Sequence, residues 1–492
     1  MAFSDVADWF LETTAGHVII CVVAIFAVLT LATLKDTPLP GPFEWPIVSS
    51  LPQLISYFDD QLTWFLVYAK LHEKQGTFTF KDNFKHYEKG PWLYPILEDL
   101  LGDGIFNTDG ERWHSQRKTA AHLFSANSFR TLIAPTFEKH GHLLVSELQR
   151  VQASGEVVDL HALYHRFTLD SIGEIAFGVN IGSLKDPSIP FARAFDGAQY
   201  CVDKRIFNPF WWLFPFAPNE RLVKRNVAIM DKFSYDLINE RRSTGEYKHK
   251  TDVLSTFMKG NDQWAESEEG RADGQALYSD KYLRDVIMNF IIAGRDTTAQ
   301  ALSWTTYMLT QHPEVEQRMR QEMWEVLGPD KAAPGYDDMK SMVYTSAVVK
   351  ETLRLYPSVP KDGKMCMKDD VWPDGTVVKK GWLAVYLPYV SGRMTSLWGP
   401  DAEEFKPQRF VDEPAPSAYK YTVFQAGPRT CLGQNMALLE AVSVLCLVYK
   451  HHTVKAQPGQ DIKPQLSLTM PMQNGFKATL HPAPKPAAVQ AK

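Results

Sequence analysis

The longest uninterrupted apolar stretch, His17 to Leu34, carries no formal charge at neutral pH (His17 neutral) and is just long enough to cross a hydrocarbon core as a helix. It predicts one N-terminal transmembrane helix. A signal peptide or a buried helix is the alternative, but no basic segment precedes the run and no small-residue cleavage site clearly follows it. Pro38-Leu39-Pro40-Gly41-Pro42 comes next, with fixed φ angles and missing N–H donors that end any helix. No second run of that length follows, which excludes a multi-span transporter. Downstream, apolar residues recur at three- and four-residue spacing and strand-like alternation is rare, so the body is expected to be mainly α with a minor β region.

Residues 280–312 predict the longest helix, ending before Pro313 with Asp280 near its start. Its middle, Phe290 to Ala293, is apolar all round and predicts burial on every side, so a polar residue there needs a reason. A second helix is expected over 339–355, before Tyr356-Pro357, and strands around 371–389 and 464–481. Residues 259–279 read as an acidic, Gly-rich loop, and the final Pro- and Ala-rich residues as disordered. The expected division is 1–36 anchor, 37–482 body and 483–492 tail.

Composition narrows the function. With 45% apolar and 12% aromatic residues the chain can bury a large core. A net charge of −5 provides no cationic field for phosphates, so nucleic-acid binding is not expected. Five cysteines, at 21, 201, 366, 431 and 446, are too scattered for a disulfide scaffold or a CxxC zinc site.

One of these cysteines stands apart. From Phe424 to Gly433 the chain reads FQAGPRTCLG, the pattern FxxGxRxCxG, directly before the apolar helix of Ala437, Leu438, Leu439 and Val442. Glycines let a backbone pass close to a flat cofactor, and a thiolate at a helix N-terminus is stabilised by unpaired N–H groups and the dipole. Without those flanks Cys431 would read as an inert buried thiol. Ala293-Gly294-Arg295-Asp296-Thr297-Thr298 falls inside the longest predicted helix, where a lone threonine would merely bond back to its i−4 carbonyl. Glu351 and Arg354 lie three apart, on one helix face. On its own such a pair is usually a surface ion pair of little worth. Trp113 and Arg117 are similarly one turn apart, an indole donor beside a guanidinium.

Together these segments resemble, over nearly the whole chain and in the same order, the cytochrome P450 superfamily of haem-thiolate monooxygenases. The resemblance implies that fold, with haem b bound non-covalently except for a Cys431 thiolate ligand. The same Cys431 would be the metal-binding residue. Asp296 and Thr297 match the oxygen-activation segment and imply proton delivery. Glu351-Thr352-Leu353-Arg354 matches ExxR, and Phe405-Lys406-Pro407-Gln408-Arg409-Phe410 its partner segment, so Arg409 is expected to complete a network. Trp113, Arg117, Arg429 and Lys364 are implied to hold haem propionates, with a merely solvated Lys364 as the alternative. Ile292, Ala293, Phe106, Val359 and Leu468 are expected pocket residues by motif position.

Within the superfamily, Gly392-Arg393-Met394, Trp398-Gly399 and the LLGDGIFNTDGERW run at 100–113 resemble the microsomal fatty-acid ω-hydroxylase clan. The implied reaction inserts one oxygen atom from O₂ into a C–H bond of an apolar substrate, with a long-chain fatty acid expected. Ala293 stands where some fatty-acid hydroxylases carry a haem-esterifying glutamate, so no covalent link is expected. Anchor and haem domain use up the length, leaving electrons to a partner, by resemblance NADPH–cytochrome reductase. The implied location is the endoplasmic reticulum membrane, single-pass, with Lys35 after the span placing the body in the cytosol. The aromatic run 207–216 would either dip into the interface or form core between helices. Rival readings are a non-catalytic or degenerate haem-binding membrane protein and a haem-thiolate isomerase or dehydratase; the intact Asp296-Thr297 pair disfavours the latter.

One departure stands out. Only eight residues separate Phe80 from Lys89, where the resembled family carries a strand pair and a short helix. Either a genuine deletion or a skipped exon accounts for this. The second is favoured, because backbone groups near Leu383–Tyr389 would otherwise be left unpaired, a costly defect if buried.

Overall fold

A computed structural model describes residues 84–208, 211–267, 277–372, 375–465 and 467–484. All belong to the second of two units, Thr77–Lys492. The apolar run His17–Leu34 and the final eight residues lie outside the described residues. Among the described residues no helix is long and apolar enough to cross a membrane.

The helices follow the expected periodicity. In chain order the main ones are α1 (Gly90–Leu101), α2 (Gly110–Ala121), α3 (Ala134–Ser154), α4 (Leu160–Phe177), α5 (Pro190–Phe207), α6 (Pro218–Thr244), α7 (Val253–Glu266), α8 (Asp280–Ile291), α9 (Thr297–Gln311), α10 (Pro313–Leu327), α11 (Val343–Leu355) and α12 (Gln434–Tyr449). Their ends are chemically marked. Asp159 and Asp252 cap α4 and α7 by accepting the Ala162 and Ser255 N–H groups, and Gly178 ends α4 in the left-handed region. α9 is the axis of the core, packed by α4, α11 and α12. Its Trp304 is fully buried, stacks on Tyr356 at 4.2 Å and donates its indole N–H to Met470 O at 3.0 Å. A large aromatic ring is tolerated there because its one polar atom is paired.

The helix expected over 280–312 runs unbroken from Asp280 to Gln311, but a π-turn over Ile292–Asp296 joins its α-helical parts α8 and α9. A wider turn leaves carbonyls off the i→i−4 ladder, and buried carbonyls need other donors. Three side chains supply them. Thr297 Oγ1 donates to Ala293 O (2.6 Å), Thr168 Oγ1 to Arg295 O (2.8 Å) and Ser358 Oγ to Thr297 O (2.6 Å). Gly294 is needed at this turn, since a Cβ would lie 2.5 Å from the Ile172 side chain of α4. Ser279, not Asp280, caps α8 by accepting the Tyr282 N–H, and Asp280 pairs with Arg242 instead.

The loop expected over 259–279 is also corrected, because α7 runs to Glu266. Val253, Leu254, Phe257 and Met258 bury one face of α7, and that face outweighs the polar composition of its end.

The β region is small. β1 (Tyr87–Glu88), β3 (Asp362–Cys366) and β6 (Leu383–Tyr386) form one antiparallel sheet with β3 central, in the register Glu88↔Met365 and Lys364↔Ala384. β2 (Val158–Asp159), β8 (Lys477–Pro482) and β7 (His452–Ala456) form a second, and β4 (Asp370–Val371) pairs with β5 (Val377–Val378). Among the described residues, a bridge, Pro464↔Met472, and β8 occupy the stretch expected as strand over 464–481. Among the described residues nothing pairs with the outer edge of β6, and residues 76–83 lie outside them. That edge is not buried. Leu383 and Val385 are among the exposed large apolar residues.

Candidate active site

The Gly-rich segment before α12 folds as a tight cradle. The Cys431 N–H donates to Phe424 O at 2.8 Å and the Thr430 N–H to Gly427 O at 3.0 Å, closing the loop upon itself. Gln425 is the one non-glycine described residue with positive φ, +65°. Its conformation is costly and is held by its amide, which donates to Asp362 Oδ2 at 2.7 Å and lies against the Tyr386 hydroxyl. The result aims the Cys431 sulfur into a cavity.

That cavity encloses about 1590 Å³ of empty space, part of it open to solvent. Cys431 is accessible to it although the residue sits deep in the protein. Burial pushes its thiol up, while the Gly433 N–H and the Arg117 guanidinium pull the other way. Cys201, Cys366 and Cys446 are buried elsewhere, so among the described cysteines only Cys431 faces open space.

One stripe of the α8–α9 helix faces the same cavity as Cys431. Asn289, Phe290, Ala293, Gly294 and Thr297 line the cavity. This corrects the expectation of burial on every side, since Phe290 and Ala293 are only part-buried and face the cavity. Phe106 and Val359 line it as expected; Ile292, which is buried, and Leu468 are not among its lining residues.

The two residues of the expected proton pair face different spaces. Thr297 opens to the apolar cavity, whereas Asp296 lines a second, polar one with Arg295, Gln300, His161 and His165. Burial raises the Asp296 carboxyl to about 6, against the pull of Arg295, whose Nη1 donates to it at 2.9 Å. Arg295 also reaches Asp196 at 2.6 Å. Consecutive residues on a helix point about 100° apart, so one turn can present an acid to one side and a hydroxyl to the other.

At the cavity edge the cationic groups collect. Arg117 Nη2 donates to Thr430 O at 2.6 Å, Arg429 Nη2 to Thr108 O at 3.0 Å, and the two guanidinium carbons lie 5.8 Å and 4.5 Å from the Trp113 ring centre. Arg429 also pairs with Asp109. Its Nε–H is buried with no partner.

The solvated alternative for Lys364 is corrected. It is 3% exposed on β3, its ammonium has no hydrogen-bond partner, and burial brings it down to about 7, partly offset by Asp362. Buried donors left without acceptors are what an anionic group at this edge would satisfy, so these residues fit haem propionates. Lys364 is not itself a lining residue, but Lys89 is, 2.7 Å from Asp362. Burial would raise Asp362, yet Lys89 and Lys364 hold it well below the usual carboxylate range. Lys89, Asp362 and Gln425 are not found by reading motifs, because strand pairing and a loop bring them together.

Beneath the loop, Glu351 and Arg354 are fully buried and doubly bonded, Nε to Oε2 at 2.7 Å and Nη2 to Oε1 at 2.8 Å. Arg409 Nε lies 3.5 Å from Glu351 Oε1, completing the expected trio. Arg354 further donates to the Gly392, Ala402 (2.5 Å) and Glu404 (2.9 Å) carbonyls, and the Lys406 N–H donates to Glu351 Oε1 at 2.8 Å. The network pins the chain segments that precede the cysteine loop.

Cys431 and Thr297 line one apolar cavity whose edge carries buried cationic donors, a setting that fits a haem held by a cysteine thiolate. The family model described as Cytochrome P450 matches residues 40–479, and the chain belongs to that family. It is 33% identical to cytochrome P450 704B1 of Arabidopsis thaliana over 89% of this chain and 94% of the relative. It is 35% identical to cytochrome P450 86B1 of the same plant (93% and 89%) and 32% to cytochrome P450 94A2 of Vicia sativa (91% and 92%). The protein is thus a P450 monooxygenase that uses haem b with a cysteine thiolate ligand, a redox partner reductase and an apolar substrate.

Proposed function

We propose that the protein hydroxylates long-chain fatty acids at or near the ω carbon, with Cys431 as the thiolate ligand. The carrying observation is that Cys431 and Thr297 open onto one cavity walled by Ile105, Phe106, Phe290, Ala293 and Val359, a space suited to an alkyl chain. Bound haem would supply oxygen activation, which an axial thiolate favours. Trp113, Arg117, Arg429 and Lys364 would hold its propionates. Asp296 accepts protons from the polar cavity, and a carboxyl held near neutrality can both take and release one. Thr297, donating to Ala293 O, offers its lone pairs to the apolar side.

The test is NADPH- and reductase-dependent turnover of a fatty-acid panel, with products read by mass spectrometry. ω-Hydroxylated acids are expected, and their absence with a normal haem spectrum would overturn the substrate. In the same assay Thr297→Ala should keep haem yet divert most electrons to peroxide, lowering product per NADPH about tenfold or more, within the usual reach of one positioned proton-transfer group. Unchanged coupling would count against that role.

The division into anchor 1–36, haem domain 37–482 and tail 483–492 belongs to this reading, as does an endoplasmic reticulum location with NADPH–cytochrome reductase on the cytosolic side. Trp212, Phe214 and Phe216 are 61%, 60% and 78% exposed, which disfavours an aromatic core there and suits a membrane interface. Deleting residues 1–36 should free the protein from alkaline-washed membranes with its haem spectrum intact. A truncated form that still pellets would shift the anchoring to 211–216.

A further inference from the structure

The roof of the apolar cavity is carried by the loop after α1, and the central helix holds that loop through two side chains. Asn289 is buried in α8, where the surrounding sequence is apolar. Its Nδ2 donates to Leu101 O at 2.7 Å and Asp285 O at 2.8 Å, and its Oδ1 accepts the Phe106 N–H at 3.0 Å. One turn earlier, Asp285 Oδ2 accepts the Asp103 N–H at 2.9 Å. The loop lies so close that a Cβ on Gly104 would fall 1.8 Å from Asn289 Nδ2, and one on Gly102 2.2 Å from the Asp285 carboxylate. Gln116 Nε2 and Asn107 Nδ2 bind Asp103 O (2.7 Å) and Gly102 O (3.1 Å) from within the loop and α2. Ile105, Phe106 and Asn289 all line the cavity.

Asn289, Ala293 and Thr297 all line the cavity, with Asn289 two turns before Thr297 along the same helix. We propose that Asn289 is a positioning residue for regiochemistry: by holding the Phe106 amide it fixes the height of the Phe106 ring above Thr297, and so which carbon of a substrate chain meets the oxidant. The inference rests on the monooxygenase reading and adds what selects the carbon. Asn289 suits this because all three of its hydrogen bonds end on backbone, which fixes the loop's path whatever side chains the loop carries.

The experiment uses the full-length protein with its reductase and two probes, dodecanoic acid and dodecane, with hydroxyl positions read by mass spectrometry. Asn289→Leu, which keeps the size but not the bonds, should retain the carbon-monoxide spectrum yet change the terminal-to-internal product ratio about tenfold. Gly104→Ala, which pushes Asn289 aside, should shift it the same way. The Gly104→Ala/Asn289→Ala double variant should show less than the sum of its single variants, since the smaller side chain makes room for the new methyl. In the resting protein, amide hydrogen exchange over 102–107 should quicken about tenfold in Asn289→Leu.

Unchanged product ratios in the Leu and Ala variants with intact spectra, or unchanged exchange, would overturn the inference. Should Asn289→Leu not fold, Gly104→Ala decides, with Phe106→Leu, which leaves the backbone bond in place, expected to move the site of oxidation. Failure with every acid of the fatty-acid panel would sink the fatty-acid reading, while dodecane would still report on the clamp.

Discussion

Cys431→Ser is expected to abolish the carbon-monoxide band of the reduced protein while leaving the fold intact. Serine has nearly the shape of cysteine, and Cys431 contributes little packing because its sulfur faces the cavity. A hydroxyl, however, ionises far less readily than a thiol and cannot act as the soft anionic donor that the metal requires. No other described cysteine can substitute, since Cys201, Cys366 and Cys446 are all buried. The expected measurement is a complete loss of the thiolate-type band at unchanged thermal midpoint. A band that survives would show that the ligand lies elsewhere.

Arg354→Leu is expected to be the more destructive change, although it lies outside the cavity. Removing one partner of a buried pair leaves an uncompensated charge, at a cost of about 3–5 kcal/mol. Here Glu351 would keep a buried carboxylate held only by the Lys406 N–H and Arg409 among the described residues, and the carbonyls of Gly392, Ala402 and Glu404 would lose the Arg354 guanidinium. Such a loss is a large share of a typical folding free energy of about 5–15 kcal/mol, so little haem-bound protein should accumulate. Arg354→Lys keeps the charge but not the planar fork, and should recover only part of the stability. Haem content and thermal midpoint of the two variants test this. A leucine variant with full haem content and an unchanged midpoint would refute the network's structural role.

Among the described residues β6 stands at a sheet edge with Leu383 and Val385 exposed, while Lys89, which follows β1, reaches Asp362 and the cavity. The parts that line the cavity lie elsewhere in the chain, so the edge can be open without disturbing them.

Short-range chemistry was legible in the sequence. The residues around Cys431, the Glu351–Arg354 spacing and the Trp113–Arg117 turn each act within one loop or helix, where spacing alone dictates which groups share a face. The long apolar helix was likewise visible, but its π-turn was not, because the carbonyls that turn frees are satisfied by Thr168 and Ser358 from distant segments as well as by Thr297. Likewise, Asp296 and Thr297 read as one site, and only packing against α4 and α5 assigned them to separate cavities. Lys364 read as solvated or ligating with equal ease until β3 buried it between its neighbours. Asn289 and Phe106 are 183 residues apart, and no local pattern pairs them. What the sequence determined by itself was which chemical groups the protein has and their order along each element. What the tertiary structure decided was which of them meet, because contacts between remote segments form only where buried polar groups find partners and apolar faces close over them.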